Sequence, residues 1–309
     1  MYVEIPGSAA GGGFPQWNCG CRNCRSLRAG SFSGKSRTQT QVAVSHDGHS
    51  WLLLNASPDL RLQIEQTRAL QPRSTGRDSP IAGVILTSAD IDQIAGLLSL
   101  RELQPLRIYC TLSLERILRA DNSIFAMLNR MPQQVEWKNI CVGNKFPLLS
   151  LSGEHLGLGC EAISLGNKYP VYVSSERAAG LRLEESSLGL VLTSSSGGRL
   201  AYLPAVPAIG DELLHLLQSV DLVLFDGTFW SDDELIQVQG GAATAHEMGH
   251  IPISGDGGSL RALAGLKRPR KIFVHINNTN PILDESSAEH REVRAAGWEI
   301  AEDGWQFKL

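Results

Sequence analysis

Three thiols crowd one short stretch, Cys19-Gly20-Cys21-Arg22-Asn23-Cys24. Soft sulfur donors at this spacing suit Zn²⁺, whose structural sites take four tetrahedral ligands, so a fourth ligand must come from elsewhere in the chain. The remaining cysteines, Cys110, Cys141 and Cys160, are scattered. That distribution is unlike a secreted disulfide framework and reads as small core residues.

A second group offers carboxylates and imidazoles. Asp90 and Asp92 follow an apolar run that ends at Thr87, and at a strand end both can enter one pocket as hard ligands or as acid and base. The same acids would equally complement a helix start. Asp226 closes the run 222–225, and Gly227 behind it lets the chain turn while the acid points from the sheet edge. His250 stands in Met248-Gly249-His250-Ile251, and His275 precedes Ile276-Asn277-Asn278-Thr279-Asn280-Pro281. Either histidine can ligate a metal or shuttle protons, and the polar run after His275 has the character of a pocket-lining loop. Asp59, in Asn55-Ala56-Ser57-Pro58-Asp59, can brace a metal ligand or cap the helix that starts near Leu60. His46 and His49 are expected at the surface.

The elements that must position these groups are legible in outline. Residues 2–5 alternate like a strand and run into Gly7-Ser8-Ala9-Ala10-Gly11-Gly12-Gly13, where glycine permits positive φ and a tight loop. Gln41–Ser45 and Trp51–Leu54 flank His46-Asp47-Gly48-His49, and Asp-Gly between apolar runs signals a hairpin. Residues 81–87 read as a strand and 90–98 have helical spacing. Further strands are expected at 190–193, 200–203, 222–225 and 271–276, with helices at 209–218 and 258–265. Strands before helices in both halves argue for an α/β (α+β) architecture of sheets packed face to face with helices outside. No repeat or linker divides the chain, since 194–198 is short enough for a hairpin loop, so residues 1–309 read as a single domain.

The 309 residues are 42% hydrophobic, ample for a sizeable core, and 28 Lys plus Arg face 32 Asp plus Glu for a formal charge of -4. No basic run would track a phosphate backbone, so nucleic acid is not an expected partner. No stretch reaches the roughly 18 to 20 apolar residues of a membrane span, and residues 1–13 lack the basic-then-apolar pattern of a secretion signal. A cytoplasmic location is expected.

The segments 7–19, 55–59, Asp226-Gly227-Thr228, Met248-Gly249-His250 and Val274-His275-Ile276-Asn277-Asn278-Thr279-Asn280-Pro281 together strongly resemble the coenzyme PQQ synthesis protein B family, over nearly the whole chain. The order of acidic and histidine motifs is similar to the wider metallo-β-lactamase superfamily. The resemblance implies a metallo-β-lactamase-type αββα four-layer sandwich, two mixed sheets with flanking helices. It also implies a structural zinc on Cys19, Cys21 and Cys24, and a pocket at the sheet edges with Asp90, Asp92, Asp226, His250 and His275 as catalytic residues. Of these, Asp92, Asp226 and His250 are expected to ligate a pocket metal. Related superfamily enzymes carry His-x-His-x-Asp-His where this chain has Ser88-Ala89-Asp90-Ile91-Asp92-Gln93, and Gln93 departs from the histidine that the PQQ family itself usually keeps. A carboxamide is a far poorer zinc or iron ligand than imidazole, so a dinuclear zinc hydrolase is the least expected activity. His275 is a candidate both for the pocket and for the fourth position of the cysteine zinc, and one imidazole cannot fill both.

The function implied is in the biosynthesis of pyrroloquinoline quinone (PQQ). One form is metal-dependent oxidation or hydroxylation of a tyrosine-derived precursor with Fe(II) and O₂. Non-haem Fe(II) typically takes two histidines and one carboxylate, for which Asp92, His250 and His275 are the nearest set. The alternative is a non-catalytic carrier that binds PQQ or its precursor and assists transport toward the periplasm. For such a polyanion Asn277, Asn278, Arg61 and Lys168 are the expected binding residues. Other PQQ biosynthesis proteins and a second copy of the chain, as a homodimer, complete the expected partners.

Overall fold

A computed structural model describes residues 1–132, 134–166, 168–240 and 243–309. The strands, in chain order, are β1 (Tyr2–Gly7), β2 (Gln41–Ser45), β3 (Trp51–Leu54), β4 (Ile81–Ile85), β5 (Leu106–Cys110), β6 (Val135–Asn139) and β7 (Lys145–Leu149). They continue with β8 (His155–Ser164), β9 (Leu188–Ser194), β10 (Arg199–Leu203), β11 (Leu222–Asp226), β12 (Arg270–Val274), β13 (Glu299–Ile300) and β14 (Trp305–Lys308). Backbone contacts divide the chain into two compact units, one of Met1–Pro6, Gln41–Gly198 and Gly304–Leu309, the other of Gly7–Thr40 and Arg199–Asp303.

The first unit contains a sheet ordered β14-β1-β2-β3-β4-β5-β6. The expected hairpin is there, with Val42 opposite Leu54 in an antiparallel β2–β3 pair, while β3 through β6 run parallel. Parallel strands covered on both faces read as continuous apolar runs, and every residue of β5 is buried. Ile108 and Cys110 join a core with Leu114, Ile117 and Leu118 of the helix Leu112–Arg119. Those three leucine and isoleucine positions fall on one helical face, and Thr111 starts the helix by accepting the Leu114 N–H at 3.4 Å. On the opposite face of β5 the Tyr109 hydroxyl accepts the Leu149 N–H of β7 at 2.9 Å, and its ring stacks on Phe146 at 5.8 Å. Arg107, 3% exposed, is paired there with Glu136 and also donates to the Leu149 carbonyl at 2.7 Å, so its buried charge is not left uncompensated. Strands β7, β8 and β9 form antiparallel pairs.

The expected helix over 90–98 is an α-helical turn, Ile91–Ile94, followed by a tighter helix, Ala95–Leu100. Gly96 sits against the 56–57 backbone, where an added Cβ would lie 2.1 Å from the Ser57 carbonyl oxygen.

In the second unit β10, β11, β12 and β13 are parallel, with Leu203 beside Phe225 and Asp226 beside Val274. Phe225, Phe273 and Trp298 pack together beneath them, the last two stacked at 4.1 Å. The expected strand 271–276 stops at Val274 because His275 takes φ 57°, a left-handed conformation that breaks the pleat. The expected helices 209–218 and 258–265 appear as Asp211–Leu217 and Ser259–Ala262. Ile276 donates to the Ser8 carbonyl at 3.0 Å and accepts the Ala10 N–H at 2.9 Å, so the glycine-rich opening segment runs beside the loop that follows β12. Among the described residues no helix is long and apolar enough to cross a membrane.

Candidate functional site

In parallel α/β sheets, ligands gather outside the carboxyl ends of the strands. Asp226 is the last residue of β11 and His275 the first after β12. His250 comes from the loop after the short helix Ala245–Met248, which Thr244 and Glu247 close with a reciprocal capping box and Gly249 ends at φ 90°. These three residues have donor atoms within 4.8 Å of one another. The imidazoles are nearly parallel, 18° apart with centroids at 5.5 Å, and the side chains of Asp226 and His250 are 0% and 12% exposed.

Thr228 organises the cluster. Its hydroxyl has one proton and the nearest acceptor is Asp226 Oδ1, at 2.6 Å. Toward His275 Nδ1, at 2.8 Å, the hydroxyl must then accept. His250 Nδ1 lies 2.8 Å from Asp226 Oδ2, and a carboxylate only accepts, so His250 donates from that nitrogen. When neutral, both rings therefore carry their proton on Nδ1 and leave Nε2 with a lone pair, the arrangement seen when a support group orients a ligating histidine. The backbone N–H groups of Val206 and Thr228 supply two further bonds to Asp226, at 2.8 and 3.0 Å. Its four acceptor positions are then occupied. Burial raises the pKa of Asp226, but the neighbouring His250 and His275 and the hydrogen bonds from His250 and Thr228 outweigh that and hold it below the usual carboxylate range.

The three cysteines meet at a different point of the same unit. Cys21 caps the helix Arg22–Arg28, its sulfur accepting the Cys24 N–H at 3.5 Å, while Cys19 sulfur accepts the Cys21 N–H at 3.4 Å. Arg28 secures the approach by donating to the Cys19 carbonyl at 2.6 Å. The side chain facing all three sulfurs is Asn278, with its amide nitrogen 3.1, 3.7 and 3.3 Å from Cys19, Cys21 and Cys24. This corrects two expectations. His275 is not beside the cysteines, because its left-handed backbone turns the ring onto Thr228; and Asn278, expected to bind substrate, is 2% exposed and turned onto the thiols. Asn23 fixes that loop by donating to the carbonyls of Asn278 and Asn280 at 3.2 and 3.0 Å. Burial pushes the Cys21 thiol up to about 12. At Cys19 burial also raises the pKa, but hydrogen bonds from Cys21, Cys24 and Asn278 prevail and lower it. Three convergent sulfurs under one carboxamide fit a tetrahedral zinc.

Of the other expected residues, all but Asn277 belong to the first unit. Asp90 accepts the Ser88 hydroxyl at 2.7 Å, and Asp92 accepts the Gln93 amide at 3.1 Å. Gln93 is 5% exposed, and its carbonyl oxygen is taken by the Asn55 amide. Asn55, at φ 67°, also bonds Thr87 through both ends of its amide, at 2.8 Å in each case. The Gln93 carboxamide thus has both ends engaged and is not poised as a ligand. Asp59 stands at the N-cap of the helix Leu60–Gln66 without its side chain bonding the first turn. Arg61 and Lys168 are exposed, and the Asn277 amide donates to Thr279 at 2.5 Å. His49 is exposed, and His46, half-buried, bonds Ser194 at 2.9 Å. Thr228 and Glu234 are structurally prominent yet carry no sequence signal beyond the position of Thr228 in Asp-Gly-Thr.

Fold and site together define a protein of the β-lactamase superfamily, whose domain model, "Beta-lactamase superfamily domain", matches residues 50–276. Over 309 residues the chain is 42% identical to "Coenzyme PQQ synthesis protein B" of Methylobacterium sp. (strain 4-46), covering 100% of each. The same protein of Azotobacter vinelandii is 42% identical over 312 residues, again covering 100% of each. The crystal structure of zinc-bound PqqB from Methylobacterium extorquens superposes with a TM-score of 0.91 at 40% identity, covering 100% of both chains. The chain belongs to the coenzyme PQQ synthesis protein B family and has the metallo-β-lactamase fold.

Proposed function

We propose that this chain acts in PQQ biosynthesis by metal-dependent oxidation of a tyrosine-derived precursor, with a separate structural zinc. The observation that carries the reading is the Asp226–His250–His275 cluster at the carboxyl ends of β11 and β12. His250 and His275 would hold the metal through Nε2, and Asp226 would orient His250. An Fe(II) there would supply O₂ chemistry, and two imidazole nitrogens are part of the donor set that non-haem iron commonly takes. In the overall step one oxygen atom of O₂ replaces a ring hydrogen as hydroxyl. The other leaves as water with two electrons and two protons from an external two-electron reductant. Thr228 and Asp226 keep both imidazoles in one tautomer throughout. Cys19, Cys21 and Cys24 would hold the structural zinc, and Asn278, the side chain that faces all three sulfurs, would be the nearest residue to supply a fourth ligand. The zinc-bound PqqB of Methylobacterium extorquens supports a zinc in this chain too.

A carrier reading gains support from the closed Ser88–Asp90 and Asn55–Gln93–Asp92 contacts, which occupy groups that a metal pocket would need. The deciding experiment is anaerobic loading with Fe(II), followed by O₂, reductant and a tyrosine-derived precursor, read by mass spectrometry. A product heavier by one oxygen, absent with His250→Ala, supports oxidation. No product, together with PQQ binding that weakens in Arg61→Gln and Lys168→Gln, sinks oxidation and leaves the carrier.

A further inference from the structure

The helix Glu234–Gln239 begins with a carboxylate that is 5% exposed and that the proposed chemistry does not use. Its two oxygens reach two different loops. Oε1 accepts the Thr279 hydroxyl at 2.5 Å, and Oε2 accepts the Trp230 N–H at 2.5 Å. The first loop carries Asn278, which faces the cysteine sulfurs, and follows directly from His275. The second carries Thr228, and the Phe229 ring packs edge-on against His250 at 5.8 Å. The two loops are also joined by Asn277 N–H to the Thr228 carbonyl at 3.1 Å and by the Asn280 amide to the Gly227 carbonyl at 3.0 Å. Glu234 is the only ionisable side chain bonded to both loops among the described residues.

We propose that Glu234 is a positioning residue that braces the 277–280 loop against the 228–230 loop and thereby fixes Asn278 over the cysteines and His275 in its cluster. The brace is geometric and holds whatever the site turns over; it rests on the zinc reading only for the choice of probe. The groups facing the carboxyl are the Thr279 hydroxyl, the Trp230 N–H and the Asn277 side chain, none of them charged. Burial without a cation pushes its pKa up to about 7, against the hydrogen bonds, which lower it. Opening the loop returns the group to water and to its ordinary pKa, so ionisation favours opening as pH rises toward 7.

The test loads the full-length protein with zinc and follows transfer of the metal to a chromophoric chelator, alongside ¹⁵N NMR of the His275 imidazole. Glu234→Ala and Thr279→Val each strand a buried donor or acceptor, so release should quicken by about tenfold and the His275 signals should move. Thr279→Ser, which keeps the hydroxyl, should restore both. The wild-type rate divided by that of Glu234→Gln should rise between about pH 5 and pH 8, because only the wild type titrates there. Unchanged release and unchanged His275 signals in Glu234→Ala and Thr279→Val overturn the assignment, as does a Thr279→Ser as leaky as Thr279→Val. If Glu234→Ala does not fold, the Thr279 pair decides. A wild type that holds no zinc would refute the zinc reading alone, while the NMR still reports on the brace.

Discussion

Replacing Thr228 by valine removes one hydroxyl and almost no volume, which isolates its part in the histidine cluster. The hydroxyl donates to Asp226 at 2.6 Å and accepts from His275 at 2.8 Å. Asp226 keeps the bonds from Val206, His250 and the Thr228 backbone, so the carboxylate is not orphaned, but the bond between the hydroxyl and His275 Nδ1 is lost as well. A bond to a charged acceptor contributes about 1.5 to 3 kcal/mol, and the bond to the imidazole about 0.5 to 1.5 more. Allowing for relaxation, the loss should be about 2 to 4 kcal/mol, a fall of roughly 3 to 6 °C in Tm for a chain of this length. Chemical denaturation measures the stability, and ¹⁵N NMR should show His275 shifting toward the other tautomer. Thr228→Ser should stay within about 1 kcal/mol of the parent. A Thr228→Val protein with parental stability and parental imidazole signals would refute the hydrogen-bond assignment on which the tautomer argument depends.

Gly96→Ala should cost about 2 to 4 kcal/mol in a denaturation experiment, because the new Cβ meets the Ser57 carbonyl at 2.1 Å and the Ala56 carbonyl carbon at 2.8 Å and backbone must move; a neutral substitution would mean the approach is looser. Asn278→Leu should release zinc at least about tenfold faster than the parent, whereas Asn278→Asp, which retains an oxygen donor, should hold it; equal retention in the leucine variant would remove Asn278 from the ligand set. For Glu234 burial pushes the folded pKa up to about 7, above the ordinary glutamate value of 4.5. Its stabilising contribution is therefore complete below about pH 4.5 and lost as pH rises through 7, on the order of 3 kcal/mol in all. Glu234→Gln should flatten that part of the stability profile, and an unchanged slope would place the titration elsewhere.

The sequence makes the scaffold and the candidate donors visible because both are local. Asp-Gly between Gln41–Ser45 and Trp51–Leu54 specifies the hairpin, and the continuous apolar run of β11 identifies a covered strand. Cys19, Cys21 and Cys24 announce themselves by spacing alone. Which polar residue of 277–280 turns onto the sulfurs is a different matter, since it depends on φ 57° at His275 and on bonds from Asn23, 255 positions earlier in the chain, to the Asn278 carbonyl. Thr228 lies in a motif that draws attention to Asp226, but its bridging role appears only once His250 and His275 arrive from 22 and 47 positions away. Glu234 sits among exposed acids such as Asp233 and gives no sign in sequence that it is buried. Such roles are set by long-range contacts that periodicity does not report.

The most direct test of the two-site account is anaerobic metal analysis of the parent, Cys21→Ser and the His250→Ala/His275→Ala double variant after reconstitution with Zn²⁺ and Fe²⁺. The account predicts a zinc lost only with Cys21 and a second metal lost only with the two histidines. A cysteine-dependent zinc as the sole metal in every preparation would contradict it.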